Sequence, residues 1–173
     1  SGVEGSYKFL NRVLRIAEEI KKPKKLINLD LIDNKNTAVK KIQQSIKDVT
    51  DGIESFRFNV CIAKLYELTN MISKLDSKND FETSLKFYGL EILAQLISPF
   101  APHHAEEIWS LMGHKILICD TEWPKFDKRF LSVEQISIGV QINGKLRGNI
   151  SYNKNSKKEE IKELALSLSS IKN

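Results

Sequence analysis

The chain has no long apolar run: none of its uninterrupted hydrophobic stretches approaches the ~20 residues a bilayer-spanning helix needs. The N-terminus also lacks the apolar stretch of a signal peptide, so no membrane partner is expected and the expected compartment is the cytoplasm. Cysteine is scarce. Cys61 and Cys119 stand outside any C-x-x-C spacing and read as reduced thiols, with Cys61 on the apolar face of a helix. There is no G-x-x-x-x-G-K-[ST] loop, no G-x-G-x-x-G and no nucleophile elbow, which leaves no residue assignable to catalysis or to cofactor binding. Internal repeats and low-complexity tracts are missing as well. Acidic residues are missing over the whole of Gln135 through Lys158, which holds five cations and no carboxylate.

That local absence locates most of the charge. The 27 Lys and Arg exceed the 22 Asp and Glu by five, but residues 1–120 are nearly balanced at 17 against 16, and residues 121–173 carry 10 against 6. A surplus of this kind suits a polyanionic partner and does not select among polyanions. Its centre is Gln141-Ile142-Asn143-Gly144-Lys145-Leu146-Arg147-Gly148. Asn and Gly tolerate positive φ, so a type I′ turn is expected between strands Ile136 to Ile142 and Lys145 to Tyr152. Alternation along the second strand would put Lys145 and Arg147 on one face beside Gln141 or Asn143.

Everything before this hairpin reads as helix. Tyr7, Leu10, Leu14 and Ala17 form one stripe behind a Ser1/Glu4 capping box and run to the basic break Lys21-Lys22-Pro23-Lys24-Lys25. Val39, Ile42, Ile46, Val49 and Ile53 form a second stripe, and Phe58, Cys61, Leu65, Leu68, Ile72 and Leu75 a third. Asn79 with Glu82 caps a fourth helix, apolar on more than one face, which Pro99 stops; Pro102 opens a fifth, which Gly113 ends. Sustained three- and four-residue spacing across short loops means antiparallel bundle packing. The expected organisation is a mostly α, antiparallel five-helix bundle over residues 1–120 and a linker over 121–134. A small α+β unit follows over 135–173, hairpin plus a last helix opened by a Ser156/Glu159 capping box and carrying Ile161, Leu164, Ala165 and Leu168.

His103-His104-Ala105-Glu106-Glu107 invites a metal reading, because His103 and Glu107 would share a helix face. The order differs from H-E-x-x-H, and carboxylates near a helix start interact favourably with its dipole, so no metal is assigned. Glu18-Glu19 and Glu159-Glu160 are adjacent and diverge, as solvated faces do. Trp109 and Trp123 read as core and docking residues rather than base-stacking platforms. The competing class, a helical scaffold binding protein, would need an apolar stripe beyond those the core consumes, and none is visible.

Five segments, taken together, resemble a known family. G-V-E-G-S-Y-K-F-L-N-R-V at 2–13, F-N-V-C-I-A at 58–63, P-F-A-P-H-H-A-E-E-I-W at 99–109, W-P-K-F-D at 123–127 and V-Q-I-N-G-K-L-R-G at 140–148 are similar, in this order, to the C-terminal region of bacterial leucyl-tRNA synthetases. The third segment alone also resembles the valine and isoleucine enzymes; the first and last are specific to the leucine enzyme. The resemblance implies a helical anticodon-binding domain and a compact domain at the outer corner of tRNA-Leu. ATP and Mg²⁺ would be used by catalytic residues outside this chain, no cofactor is expected in it, and catalytic and editing domains would be its partners within one parent. The chain reads as an excised piece of something longer, monomeric and unable to charge tRNA by itself. His104 stands where relatives often carry an aliphatic residue. The terminal unit stops short of the family's usual further strand, which predicts a less ordered C-terminal third. The contacts expected for tRNA are Asn143, Lys145, Arg147, Lys154, Lys157 and Lys158, with Lys21, Lys22, Lys24, Lys25 and Arg57 from the helical part.

Overall fold

Apolar stripes on successive helices can leave water only by packing on one another, and the computed structural model shows the result. It describes residues 2–131, 135–153 and 157–167. The chain divides into two compact units, Ser1–Leu131 and Ser132–Asn173.

The first unit holds α1 (Gly2–Glu19), α2 (Thr37–Glu54), α3 (Phe58–Lys74), α4 (Asp80–Ile97) and α5 (Pro102–Leu111). Asn36 starts α2 by accepting from the Ala38 and Val39 amides, and Asn79 starts α4 by accepting from Glu82 N at 2.8 Å. The Glu82 carboxylate reaches back one residue further than the capping-box spacing predicts, to Lys78 N at 2.9 Å. Pro102 occupies the first turn of α5, and Gly113 past its end takes φ +87°. Ser1, half of the expected first capping box, lies outside the described residues.

Cross-helix partners fix the directions. Lys41 pairs with Glu67 while Lys64 pairs with Asp48, so α2 and α3 run antiparallel. Tyr66 donates to Gly5 O at 3.1 Å and Arg12 donates to Asn70 at 2.6 Å, so α1 and α3 run parallel. The most buried rod is α4, with Leu85, Phe87, Leu90, Ile92, Leu93, Ala94, Leu96 and Ile97 all in the core. Burial on several faces follows from its all-round apolar second half.

Residues 121–131 were expected to be linker; they belong to the first unit instead. Trp123 Nε1 donates to Thr50 Oγ1 at 2.9 Å, the Asp127 amide donates to Gln43 Oε1 at 2.6 Å, and the Phe130 side chain is fully buried. The physical reason is that this charged stretch carries three aromatics at irregular spacing. Each finds its own gap on the bundle, a pattern without helix or strand period.

The second unit holds β1 (Gln135–Ile142), β2 (Lys145–Asn153) and α6 (Lys158–Leu166), which packs on β2. The strands are antiparallel about Asn143 (φ 51°) and Gly144 (φ 77°), the two left-handed residues of a type I′ turn. Ile142 faces Lys145 and Gln141 faces Leu146, but Val140 faces Gly148, so Arg147 is the extra residue of a β-bulge. Ile150 is this unit's buried residue among those described. At the start of α6 the reach-back bond runs from the Lys157 amide to Glu160 at 3.2 Å, one position later than the Ser156/Glu159 box predicts. Ser156 and Leu168 lie outside the described residues.

Candidate nucleic-acid interface

The hairpin projects its cations from exposed backbone. Lys145 and Arg147 are both exposed, as are Asn143 and Gly144 between the strands. The bulge changes the expected geometry. Paired residues share a face, so Lys145 lies with Val140 and the buried Ile150, while Gln141 shares the opposite face with Leu146. Lys145 therefore lies on the face opposite Gln141, and Arg147 is the bulge residue two positions on. The face opposite Ile150 carries Ser137, Gly139, Gln141, Leu146, Asn149 and Ser151, all exposed: it is uncharged, with the polar groups of Ser137, Gln141, Asn149 and Ser151 around the apolar Leu146. Lys157 and Lys158 open α6, exposed, at the end where the helix dipole disfavours cations, so they do not stabilise the helix electrostatically. Lys154 lies outside the described residues.

In the first unit the expected cations fall into two groups. Lys21, Lys22, Lys24 and Lys25 are exposed around a buried Pro23, with the Lys24 amide tied to Asp80 Oδ1 at 3.1 Å. Arg57 sits at the other end of the bundle, as the N-cap residue of α3. Because α1 and α3 are parallel, the length of α3 separates the groups, roughly 25 Å at 1.5 Å per residue. The structure therefore does not bring Lys21–Lys25 and Arg57 onto one spot. Lys86 is half-buried and donates to Leu75 O at 2.9 Å, capping the end of α3.

Of the rejected metal set, His103 and Glu107 are exposed and His104 is half-buried. Glu106 acts structurally, accepting from the Ile118 amide at 3.0 Å and the Cys119 amide at 3.4 Å. Among the described residues no group of three metal-ligating side chains converges, and no helix is long and apolar enough to cross a membrane. Trp109 is core, its Nε1 donating to Ile116 O at 3.1 Å.

Sequence reading passed over two polar features. Gln43 is fully buried, donating to Tyr88 Oη at 2.7 Å while accepting from Asp127 N; burial pushes the Tyr88 phenol up to about 12. Glu91 Oε1 lies 2.9 Å from His114 Nε2, and the His114 ring stacks on Trp109 with centroids 3.7 Å apart. Burial pushes Glu91 up to about 7, with Lys22 pulling the other way. Burial, then Lys22, holds His114 below its ordinary value. Both directions favour the neutral forms of the two groups, which desolvation of a close pair produces. The available signal was a carboxylate amid the all-round apolar residues Leu90, Ile92 and Leu93.

The described residues form a helical bundle and a cation-bearing hairpin, the architecture of a class of helical domains with a small antiparallel appendage. Residues 35–163 match the family described as the anticodon-binding domain of tRNA ligase, and the chain belongs to that family. The curated relatives are leucine–tRNA ligases. That of Rhodospirillum rubrum is 35% identical over 99% of this chain and 20% of its own length, and that of Thermosipho melanesiensis 40% identical over 95% of this chain and 21% of its own. A crystal structure of the Agrobacterium radiobacter LeuRS in ternary complex with tRNA and LeuAMS superposes with a TM-score of 0.69 at 30% identity, covering 99% of this chain and 22% of that one. The chain thus spans about a fifth of the length of these relatives. The mostly helical fold with its small antiparallel hairpin agrees with the resemblance read from the sequence.

Proposed function

We propose that this chain is the tRNA-binding part of a leucine–tRNA ligase, and that it positions tRNA-Leu for ATP-dependent attachment of leucine by catalytic residues of a longer protein. The observation that carries this is end-to-end similarity to leucine–tRNA ligases together with likeness to a synthetase solved with its tRNA. ATP and Mg²⁺ belong to the absent part, the compartment is the cytoplasm, and the chain by itself is inactive in charging. Its partners are tRNA-Leu and the catalytic and editing domains of the same parent. The valine and isoleucine alternatives are not favoured, since the relatives are leucine enzymes.

The contacts work by position. Lysines, arginines and amides set phosphates in register along the RNA backbone, which carries little base information. The second unit supplies Asn143, Lys145, Arg147, Lys154, Lys157 and Lys158; the bundle supplies Lys21, Lys22, Lys24 and Lys25 at one end and Arg57 at the other. If Lys145, Arg147, Lys154 and Lys157 each neutralise one phosphate, the log of affinity falls with the log of salt at a slope of roughly −3, from ~0.7 to 0.9 per contact.

The test is a salt titration of binding to tRNA-Leu beside an unrelated tRNA. A steep slope with preference for tRNA-Leu supports the reading, and salt-independent binding contradicts it. Arg147→Glu is expected to weaken tRNA-Leu binding by about tenfold and to flatten the slope by about one contact. Lys125→Glu, at an exposed ion pair with Glu122, serves as the control. Equal losses in the two variants would remove the hairpin from the contact surface.

A further inference from the structure

Where α2 turns into α3 the backbone adopts a conformation the core does not require. Arg57 N donates to Gly52 O at 2.8 Å and Phe56 N to Ile53 O at 3.0 Å, the paired bonds of a Schellman closure. The closure places Phe56 at φ +54°, in the left-handed region where glycine is usual and a bulky residue is an outlier. Packing could explain a buried ring there, but the Phe56 side chain is 80% exposed. Phe58, 47% exposed, meets Phe56 edge-on at 6.0 Å and Phe100 at 6.1 Å, so the rings form a braced row. Arg57 lies between the first two. Its Nε donates to Ser55 Oγ at 2.9 Å, and among the described residues no carboxylate pairs with its guanidinium.

We propose that Phe56, Arg57 and Phe58 form a platform for one unpaired nucleotide of an RNA, its base against the aromatic rings and its phosphate on the Arg57 guanidinium. Base stacking on exposed aromatics is tolerant of sequence, and the planar guanidinium matches a phosphate through two parallel hydrogen bonds. A protein partner would favour a continuous apolar patch, whereas Glu54, Ser55 and Asn59 around the rings are polar and exposed. The platform rests on the tRNA-binding reading above and adds a stacking subsite to it.

Phe56→Gly separates binding from folding, because glycine relieves the left-handed backbone. We expect its Tm to rise by about 2 °C. Its affinity for a short fluorescent oligouridylate at fixed salt falls about tenfold, while Phe56→Tyr keeps the parent affinity. A ribose-phosphate strand of the same length without bases binds Phe56→Gly and the parent alike. Arg57→Gln weakens both strands and lowers the log–log salt slope by about 0.7. Unchanged oligouridylate affinity in Phe56→Gly overturns the proposal, as would be seen if the rings dock protein, and so does a fall in its Tm. If Arg147→Glu weakens tRNA-Leu binding while Phe56→Gly leaves both strands unaffected, the platform alone fails. If the parent chain binds neither tRNA nor oligouridylate, the tRNA-binding reading fails with it.

Discussion

Gln43 shows how one side chain can join parts of the chain that no periodicity connects. It lies 84 positions from Asp127, yet its amide is shared between the Asp127 backbone and the Tyr88 hydroxyl. Gln43→Leu would strand both partners and is expected to lower stability by about 2–3 kcal/mol, seen as a lower urea midpoint with an unchanged m-value. Glu91 gives a pH prediction. Its folded pKa, about 7, lies above the ordinary 4.5, so its contribution is complete below 4.5 and is lost as pH rises through 7. His114, held low, works the other way below 6.5, leaving the Glu91 loss visible above that pH. Stability should fall by about 0.5 kcal/mol between pH 6.5 and 8, the Glu91 loss being partly offset by His114, and Glu91→Gln should abolish that fall. A flat wild-type profile in chemical denaturation across this window would refute the assignment. Neither residue was legible as functional in the sequence, since hydrogen-bond partners so distant along the chain leave no local spacing.

Among the elements, the helices were the readable part: their apolar spacing, the Asn79 cap, Pro102 and Gly113 placed them closely. The helix crossings were not readable. A Cβ on Gly52 would come 2.5 Å from the Sγ of fully buried Cys61, so α2 and α3 touch where one residue lacks a side chain and the other has a small one. Gly52→Ala is expected to cost about 1–3 kcal/mol. Adding Cys61→Ala should recover part of that loss by vacating the sulfur's space, and a strictly additive thermal-denaturation cycle would exclude the contact. In the hairpin, Asn143-Gly144 announced its turn, but the bulge at Arg147 was hidden, because an extra residue in one strand is defined only by the strand opposite.

For the molecule as a whole, the boundary near Leu131 has measurable consequences. A chain of residues 1–131 keeps Trp123 on Thr50, Asp127 on Gln43 and Phe130 in the core; a chain ending at 120 loses all three. We expect the first to unfold cooperatively with a Tm close to that of the full chain. The second should be several kcal/mol less stable, given about 3–5 kcal/mol for a buried aromatic alone. Equal Tm values in calorimetry would restore residue 120 as the boundary. The candidate tRNA contacts were legible as charge and turn chemistry, while their distribution was not. Lys21–Lys25 and Arg57 stand at opposite bundle ends because the parallel course of α1 and α3 sends them there.

The sequence by itself determined the helices, their caps, the I′ turn, the location of the surplus charge and the family resemblance. Each of these is written in residues that are neighbours along the chain or repeat at a helical or strand period. Only the tertiary structure decided that 121–131 belongs to the bundle, that Gln43 is buried and Glu91 half-buried beside His114, that Arg147 is a bulge, and that Phe56 is left-handed and exposed. Those outcomes depend on packing and pairing between distant segments, where desolvation and steric fit set which residues meet.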